Sequence, residues 1–225
     1  GFLGPNGAGK TTTVKMLTGM LIPTSGTAQV AGFDILAEAI EVKKRIGYVP
    51  ESGALFESLT AWEYLELVTE LHHLDRQLAH KRMEEFLTRF GLFNEKDHFL
   101  SGFSRGMKQK VLFSAALLHN PDVLFLDEPL TGLDANAALI IKELLKKMAV
   151  QGMTIMFCSH ILEVVERICT RIAIINEGQL IAEGTPEEIT QQTSQATLEQ
   201  AFNKLTGSQD MHVYADEFLH ALERL

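Results

Sequence analysis

The sequence predicts an α/β fold: a mostly parallel sheet flanked by helices and interrupted by an all-helical insertion. Three observations carry this expectation. Apolar strands alternate with helix-patterned segments over most of the chain, the alternation that builds parallel sheets with right-handed crossovers. A glycine-rich stretch, Gly4-Pro5-Asn6-Gly7-Ala8-Gly9-Lys10-Thr11-Thr12, opens directly into a helical pattern. Val123-Leu124-Phe125-Leu126 runs into Asp127-Glu128, the form of a strand buried on both faces with acids at its carboxyl end.

Gly4 through Thr11 fit G-x-x-x-x-G-K-[ST], the phosphate-binding loop. A polyphosphate is wrapped by consecutive backbone N–H groups, and Gly4, Gly7 and Gly9 clear side chains from that approach. The helix that follows turns its amides and dipole toward the anion. Lys10 offers a cation to the β- and γ-phosphates of a nucleotide, and Thr11 a hydroxyl ligand to Mg²⁺. Only Gly1–Leu3 precede the loop, so the expectation is that strands normally placed before it are missing from this sequence. The loop helix extends over 10–20. Thr24-Ser25-Gly26 makes a turn before a short strand at 28–31, a helix covers 35–45, and the strand Ile46-Gly47-Tyr48-Val49 stops at Pro50.

From there the pattern becomes helix upon helix, and residues from about 57 to 115 read as a helical subdomain inserted in the core. Thr60-Ala61-Trp62-Glu63 is a capping box. Leu67, Val68, Leu71 and Leu74 form the expected inner face of its helix. A second helix over 76–90 turns Ala79, Met83, Phe86, Leu87 and Phe90 inward. A long helix starts at Ser104, with Met107, Val111, Ala115 and Leu118 buried. After the acid-tipped strand come a helix at 135–150, a strand at 154–159 and a helix at 161–169. Two strands, 171–175 and 179–182, are joined by the turn signal Asn176-Glu177-Gly178. Residues 1–190 read as one domain and 191–225 as a polar helical appendage. Its end carries Tyr214, Phe218, Leu222 and Leu225 as an apolar stripe, which packs on the core or on another subunit.

Bulk properties narrow the function. A net charge of −9 argues against a broad nucleic-acid-binding surface, and no apolar run reaches the ~20 residues of a membrane span. Cys158 and Cys169 lack the paired ligands of a zinc motif and read as buried, reduced thiols. His72, His73 and His80 have no carboxylate at ligand spacing and read as a solvated helix face. Trp62 is either subdomain core or the edge of a docking groove.

At the end of its strand, Asp127 is placed to hold Mg²⁺ through water opposite Thr11, and Glu128 to orient or deprotonate an attacking water. These motifs, followed by Leu130-Thr131-Gly132-Leu133-Asp134 and Cys158-Ser159-His160, resemble the ATP-binding cassette (ABC) family from residue 1 to about 190. The resemblance implies a RecA-like P-loop NTPase core with a helical subdomain carrying the family's signature, usually Leu-Ser-Gly-Gly-Gln. Here Phe103-Ser104-Arg105-Gly106-Met107 matches it. Ser104 and Gly106 correspond to the residues that meet phosphate, whereas Phe103, Arg105 and Met107 depart from the pattern. Leu100-Ser101-Gly102 looks similar but sits in the wrong register to the basic residues after it.

Ser104 also reads as a helix N-cap, which leaves free amides pointing outward. In the family that anion is the γ-phosphate of an ATP on a second cassette, so the implied unit is a head-to-tail homo- or heterodimer around two ATPs. His160 corresponds to the switch histidine on the γ-phosphate, and Asp134 to the loop crossing the seam. Glu51 stands where the family has a Gln that touches Mg²⁺ and senses the membrane partner. The implied activity is Mg²⁺-dependent ATP hydrolysis by the cytoplasmic subunit of an exporter, held at the inner face of the membrane by a separate polytopic permease. The rival reading is a soluble ABC ATPase acting on nucleic acid or the ribosome, without the arms, zinc insertions or second cassette usual there. A regulator that does not hydrolyse is a third, against which Asp127, Glu128 and His160 weigh.

Overall fold

The computed structural model describes residues 1–51 and 55–207. Strand β1 is Phe2–Leu3 and helix α1 is Lys10–Leu17. That helix stops short of residue 20 because Gly19 turns to φ +68 and the N–H groups of Met20 and Leu21 fold back onto the Lys15 carbonyl, at 2.8 and 3.0 Å. The strand expected at 28–31 is half of a hairpin: β2 (Gln29–Val30) pairs with β3 (Phe33–Asp34) across Ala31 and Gly32, both at positive φ. Helix α2 is Ala39–Arg45. It starts later than expected because the Asp34 carboxylate accepts the N–H groups of Leu36 and Ala37, at 2.8 and 2.9 Å, and holds a turn there.

The expected order continues with β4 (Ile46–Val49), α3 (Ala61–Leu71), α4 (Arg76–Arg89), α5 (Arg105–Leu117), β5 (Val123–Asp127), α6 (Ala135–Val150) and β6 (Thr154–Cys158). After these come α7 (Leu162–Ile168), β7 (Ile172–Asn176), β8 (Gln179–Gly184), α8 (Pro186–Thr193) and α9 (Leu198–Thr206). The described residues form two compact units, one from Thr11 to Cys158, the other from Gly1–Lys10 and residues 159–207.

In the larger unit β4, β5 and β6 lie side by side in parallel, Tyr48 opposite Phe125 and Asp127 opposite Cys158. Gly47 lets the backbone of α5 lie against β4, since a Cβ there would run into the Ala116 carbonyl. A second core joins α3, α4 and α5 through Ala61, Leu65, Met83, Leu87, Val111 and Leu118. The capping box of α3 forms in both directions, Glu63 N–H to Thr60 Oγ1 at 3.1 Å and Thr60 N–H to Glu63 Oε2 at 2.8 Å.

The inner face of α3 differs from the expected one. Ala61, Leu65 and Thr69 are buried, whereas Leu71 is 69% exposed and Leu67, Val68 and Leu74 only partly covered. Thr69 can occupy the core because its hydroxyl donates to the Leu65 carbonyl at 3.0 Å. In the smaller unit β1 runs parallel to β7, and β7 antiparallel to β8 through the expected turn, with Glu177 at φ +49 and Gly178 at φ +76. The capping box of α8 pairs Thr185 with Glu188. The stripe at Tyr214, Phe218, Leu222 and Leu225 lies outside the described residues.

Of the three histidines read as a solvated face, His73 is exposed, whereas His72 and His80 are half-buried and have partners. His80 Nε2 lies 3.2 Å from the Glu66 carboxylate, a partner supplied by the neighbouring helix and therefore invisible to spacing along one helix. Trp62 is half-buried, meeting the His80 ring at 5.2 Å and the Lys96 ammonium at 5.1 Å. His72 stacks on His119 at 3.8 Å between ring centres, and His119 Nε2 donates to the Ile46 carbonyl at 2.9 Å. Burial, then the neighbouring ring, pushes His119 down from its ordinary 6.5 to about 4, and burial lowers His72 too. Between these values the unfolded chain takes up a proton that folded His119 refuses. Stability should therefore fall as pH drops from about 6.5 toward 4, by on the order of 1–2 kcal/mol for a partly exposed ring. His119→Gln keeps a donor for Ile46 and removes the titration. Thermal midpoints measured over this range should then decline less steeply than in the parent; equal slopes would show that the ring does not carry the effect.

Candidate nucleotide-binding site

The phosphate loop leaves β1 at Gly4 and closes on itself. Ala8 N–H donates to the Pro5 carbonyl at 3.2 Å, and Gly7 and Gly9 hold φ +79 and +107, which L side chains rarely adopt. The loop is braced from the β7–β8 turn, where Gly178 N–H donates to the Ala8 carbonyl at 3.0 Å. This support was not legible in the motif, because it comes from a segment far along the chain. Asn6 and Gly7 are exposed, whereas Gly4, Ala8 and Lys10 are buried. Lys10 Nζ donates to the carbonyls of Gly4 and Pro5 at 2.7 and 3.1 Å, so its charge is folded under the loop it would share with a phosphate.

Thr11 follows Lys10 in the first turn of α1, and its Oγ1 donates to Asp127 Oδ2 at 2.8 Å; Thr12, next to it, is exposed. Asp127 is 1% exposed at the end of β5. A hydroxyl and a carboxylate, both hard oxygen donors brought together from distant parts of the chain, suit Mg²⁺. Glu128 is 8% exposed, sits at φ +48, and donates its N–H to the Cys158 carbonyl at 3.0 Å. A left-handed glutamate costs about 1–2 kcal/mol and persists only where its surroundings hold it. Tyr48, which the sequence places only in a strand, shares this environment. Burial, then Asp127, Cys158 and Glu51, push its hydroxyl up to about 12. Glu51 itself is exposed.

Ser104 caps α5, its Oγ accepting the Met107 N–H at 3.2 Å; Ser104 and Arg105 are exposed. Leu100–Gly102 is only a 3₁₀ turn, which leaves Ser104 as the residue that begins the helix. Gly106 is set close to the loop after β5, where an added Cβ would stand 2.9 Å from the Gly132 carbonyl oxygen. Asp134 caps α6, accepting the Ala137 N–H at 2.8 Å. That bond, then the Lys110 charge, holds its carboxyl below the usual range. His160 is exposed two residues beyond β6, where Ser159 Oγ accepts the Ile161 N–H at 3.1 Å. Among the described residues no helix is long and apolar enough to cross a membrane.

Comparison with known proteins follows the same lines. The ABC transporter ATP-binding protein NatA of Bacillus subtilis is 39% identical over 191 residues, covering 84% of this chain and 77% of that protein. The Nod factor export ATP-binding protein I of Burkholderia lata is 39% identical over 189 residues, covering 84% of this chain and 62% of that protein. A solved ATP-binding cassette, a dimer in a post-hydrolysis state bound to ADP and Pi, superposes with a TM-score of 0.75 at 26% identity, covering 82% of this chain and 83% of its own. Residues 1–131 match the ABC transporter family. The chain belongs to the ABC transporter family, as one of its ATP-binding ATPases.

Proposed function

We propose that the chain drives an exporter: two cassettes close head to tail around two Mg²⁺–ATP, and hydrolysis reopens them, working a separate polytopic permease at the inner face of the membrane. The observation that carries this reading is the Thr11–Asp127 contact next to buried, strained Glu128. The export relative supports the direction, and the dimeric cassette supports the pairing. In this reading residues 1–190 are the cassette, about 57–115 its helical subdomain, and 191–225 an appendage.

When bound, Mg²⁺–ATP supplies the γ-phosphoryl group and the divalent charge that offsets its oxygens. The chain does the rest. Backbone amides from Gly4 to Thr12 bind the phosphates, and Lys10 turns its ammonium from the loop carbonyls to them. Thr11, Asp127 and Glu51 hold the metal, Glu128 takes the proton of the attacking water, and His160 hydrogen-bonds the γ-phosphate. Ser104, Arg105, Gly106 and Asp134 serve the nucleotide of the second cassette. The full-length protein should hydrolyse ATP only with a divalent cation and co-purify with a polytopic membrane protein. Recovery with ribosomes or nucleic acid instead would sink the exporter reading.

Glu51 gives a separate expectation. A third carboxylate on a cation held by Asp127 would be tolerated only with that cation bound, and would bind it more strongly than an amide does. Glu51→Gln should raise the Mg²⁺ needed for half-maximal hydrolysis by about 3–10-fold while ATP affinity at saturating metal stays put. An unchanged Mg²⁺ requirement with altered transport coupling would place Glu51 at the membrane interface instead.

A further inference from the structure

Gln109 is 4% exposed, an uncharged amide buried inside α5 in the midst of the lysines Lys108 and Lys110. Its Nε2 donates to the Pro129 carbonyl at 3.2 Å, on the residue immediately after Glu128. The same face of α5 grips the rest of that loop. One turn earlier, Gly106 packs on the Gly132 carbonyl. The Arg105 stem covers Gly132, whose added Cβ would lie 2.8 and 2.9 Å from Arg105 Cδ and Cγ. Lys110 Nζ stands 3.8 Å from the Asp134 carboxylate. Positions 105, 106, 109 and 110 recur one turn apart and so share one side of the helix.

This grip matters because of the backbone it holds. Glu128 has φ +48, where a residue with a side chain stays only under constraint. Before it, the Glu128 N–H is tied to the Cys158 carbonyl; after it, the Glu128 carbonyl accepts the Thr131 N–H at 3.2 Å. Pro129 has no N–H to contribute and its ring fixes its φ, so the bond from Gln109 sets the direction of the next peptide. An amide suits the task. It donates to a buried carbonyl with no charge to desolvate, which a lysine in its place could not do.

We propose that Gln109 is a positioning residue for Glu128, and that through it the signature helix sets the aim of the base. This rests on Glu128 being the base, as proposed above. Because Ser104 and Gly106 lie at the start of α5, movement of the helix when it meets the second cassette reaches the peptide beside Glu128 directly. Hydrolysis thereby depends on engagement of the opposite chain.

The test uses the full-length protein, with ATPase kinetics and binding of a fluorescent ATP analogue. Gln109→Leu should lower kcat about 10–100-fold, the cost of a base misplaced by about an ångström, with KM and nucleotide affinity within about threefold of the parent. In the Glu128→Gln background, Gln109→Leu should change the residual rate less than about twofold, because the group it positions is gone. If the leucine variant fails to fold, Gln109→Met, close in length, uncharged and unable to donate, should show the same loss of kcat. A raised KM with kcat retained, or an undiminished effect in the Glu128→Gln background, overturns the proposal. Parental hydrolysis by Glu128→Gln alone overturns the assignment of the base, whatever Gln109 does.

Discussion

Glu128→Gln should bind ATP as the parent does and hydrolyse it about 10²–10⁴-fold more slowly, the range a positioned general base supplies. That corresponds to roughly 3–5 kcal/mol of barrier. The amide has the carboxylate's shape, so the left-handed backbone and its bond to the Cys158 carbonyl can persist. What disappears is an acceptor for the proton of water. Because ATP then stays intact, full-length Glu128→Gln should accumulate as closed dimers with ATP and Mg²⁺, seen as doubled mass in size-exclusion chromatography with light scattering. Adding Ser104→Arg should abolish them. Ser104 is the exposed cap of α5, and a bulky cation there blocks the approach of a phosphate to the free amides of the first turn. Hydrolysis at the parent rate would show that another group takes the proton. Closed dimers in the double variant would show that the N-terminus of α5 is not at the seam.

The parts legible in the sequence are those whose chemistry is local. A phosphate loop needs glycines at fixed spacing, and the structure shows why at Gly7 and Gly9. Helix caps are equally local: Thr60 and Ser104 each satisfy an N–H within three residues. The hairpin turn at Glu177-Gly178 needs two positive φ values, and the residue types announce them.

What escaped depends on partners remote in the chain. Leu71 fits the helical period of α3, but period alone does not say which stripe meets α4 and α5; the small Ala61 and the self-satisfied Thr69 lie there instead. His80 gains Glu66, and His72 gains His119, only when helices meet. Gln109 sits among lysines and reads as part of a basic run. One available signal was its position a turn after Arg105 and Gly106, which places it on the face that carries the signature.

Gly4→Ala should reduce nucleotide affinity at least about tenfold, though it adds a single methyl group to a residue with ordinary φ. Gly4 is buried where the loop leaves β1, and β1 pairs with β7 through Leu3 and Ile174. A Cβ on Gly4 would run into the Ile175 carbonyl oxygen, and would stand 2.9 Å from Ile175 Cγ2 and 3.0 Å from the Ala8 Cβ. The first obstacle is backbone inside a paired strand and cannot rotate away. The loop must therefore lift, moving the Gly4 and Pro5 carbonyls that hold Lys10 Nζ and loosening the Gly178–Ala8 bond that braces it. Overpacking of this kind costs about 1–3 kcal/mol, most of it falling on the geometry that receives phosphate. Gly7→Ala is the matched control. Gly7 is at φ +79 with no atom within 4 Å of an added Cβ, so that variant carries about 1–2 kcal/mol of backbone strain without a collision. Titration with a fluorescent ATP analogue, alongside thermal unfolding, should place Gly4→Ala below Gly7→Ala in both affinity and midpoint. Affinity within about threefold of the parent for Gly4→Ala would mean that contact with β7 does not shape the loop for its ligand.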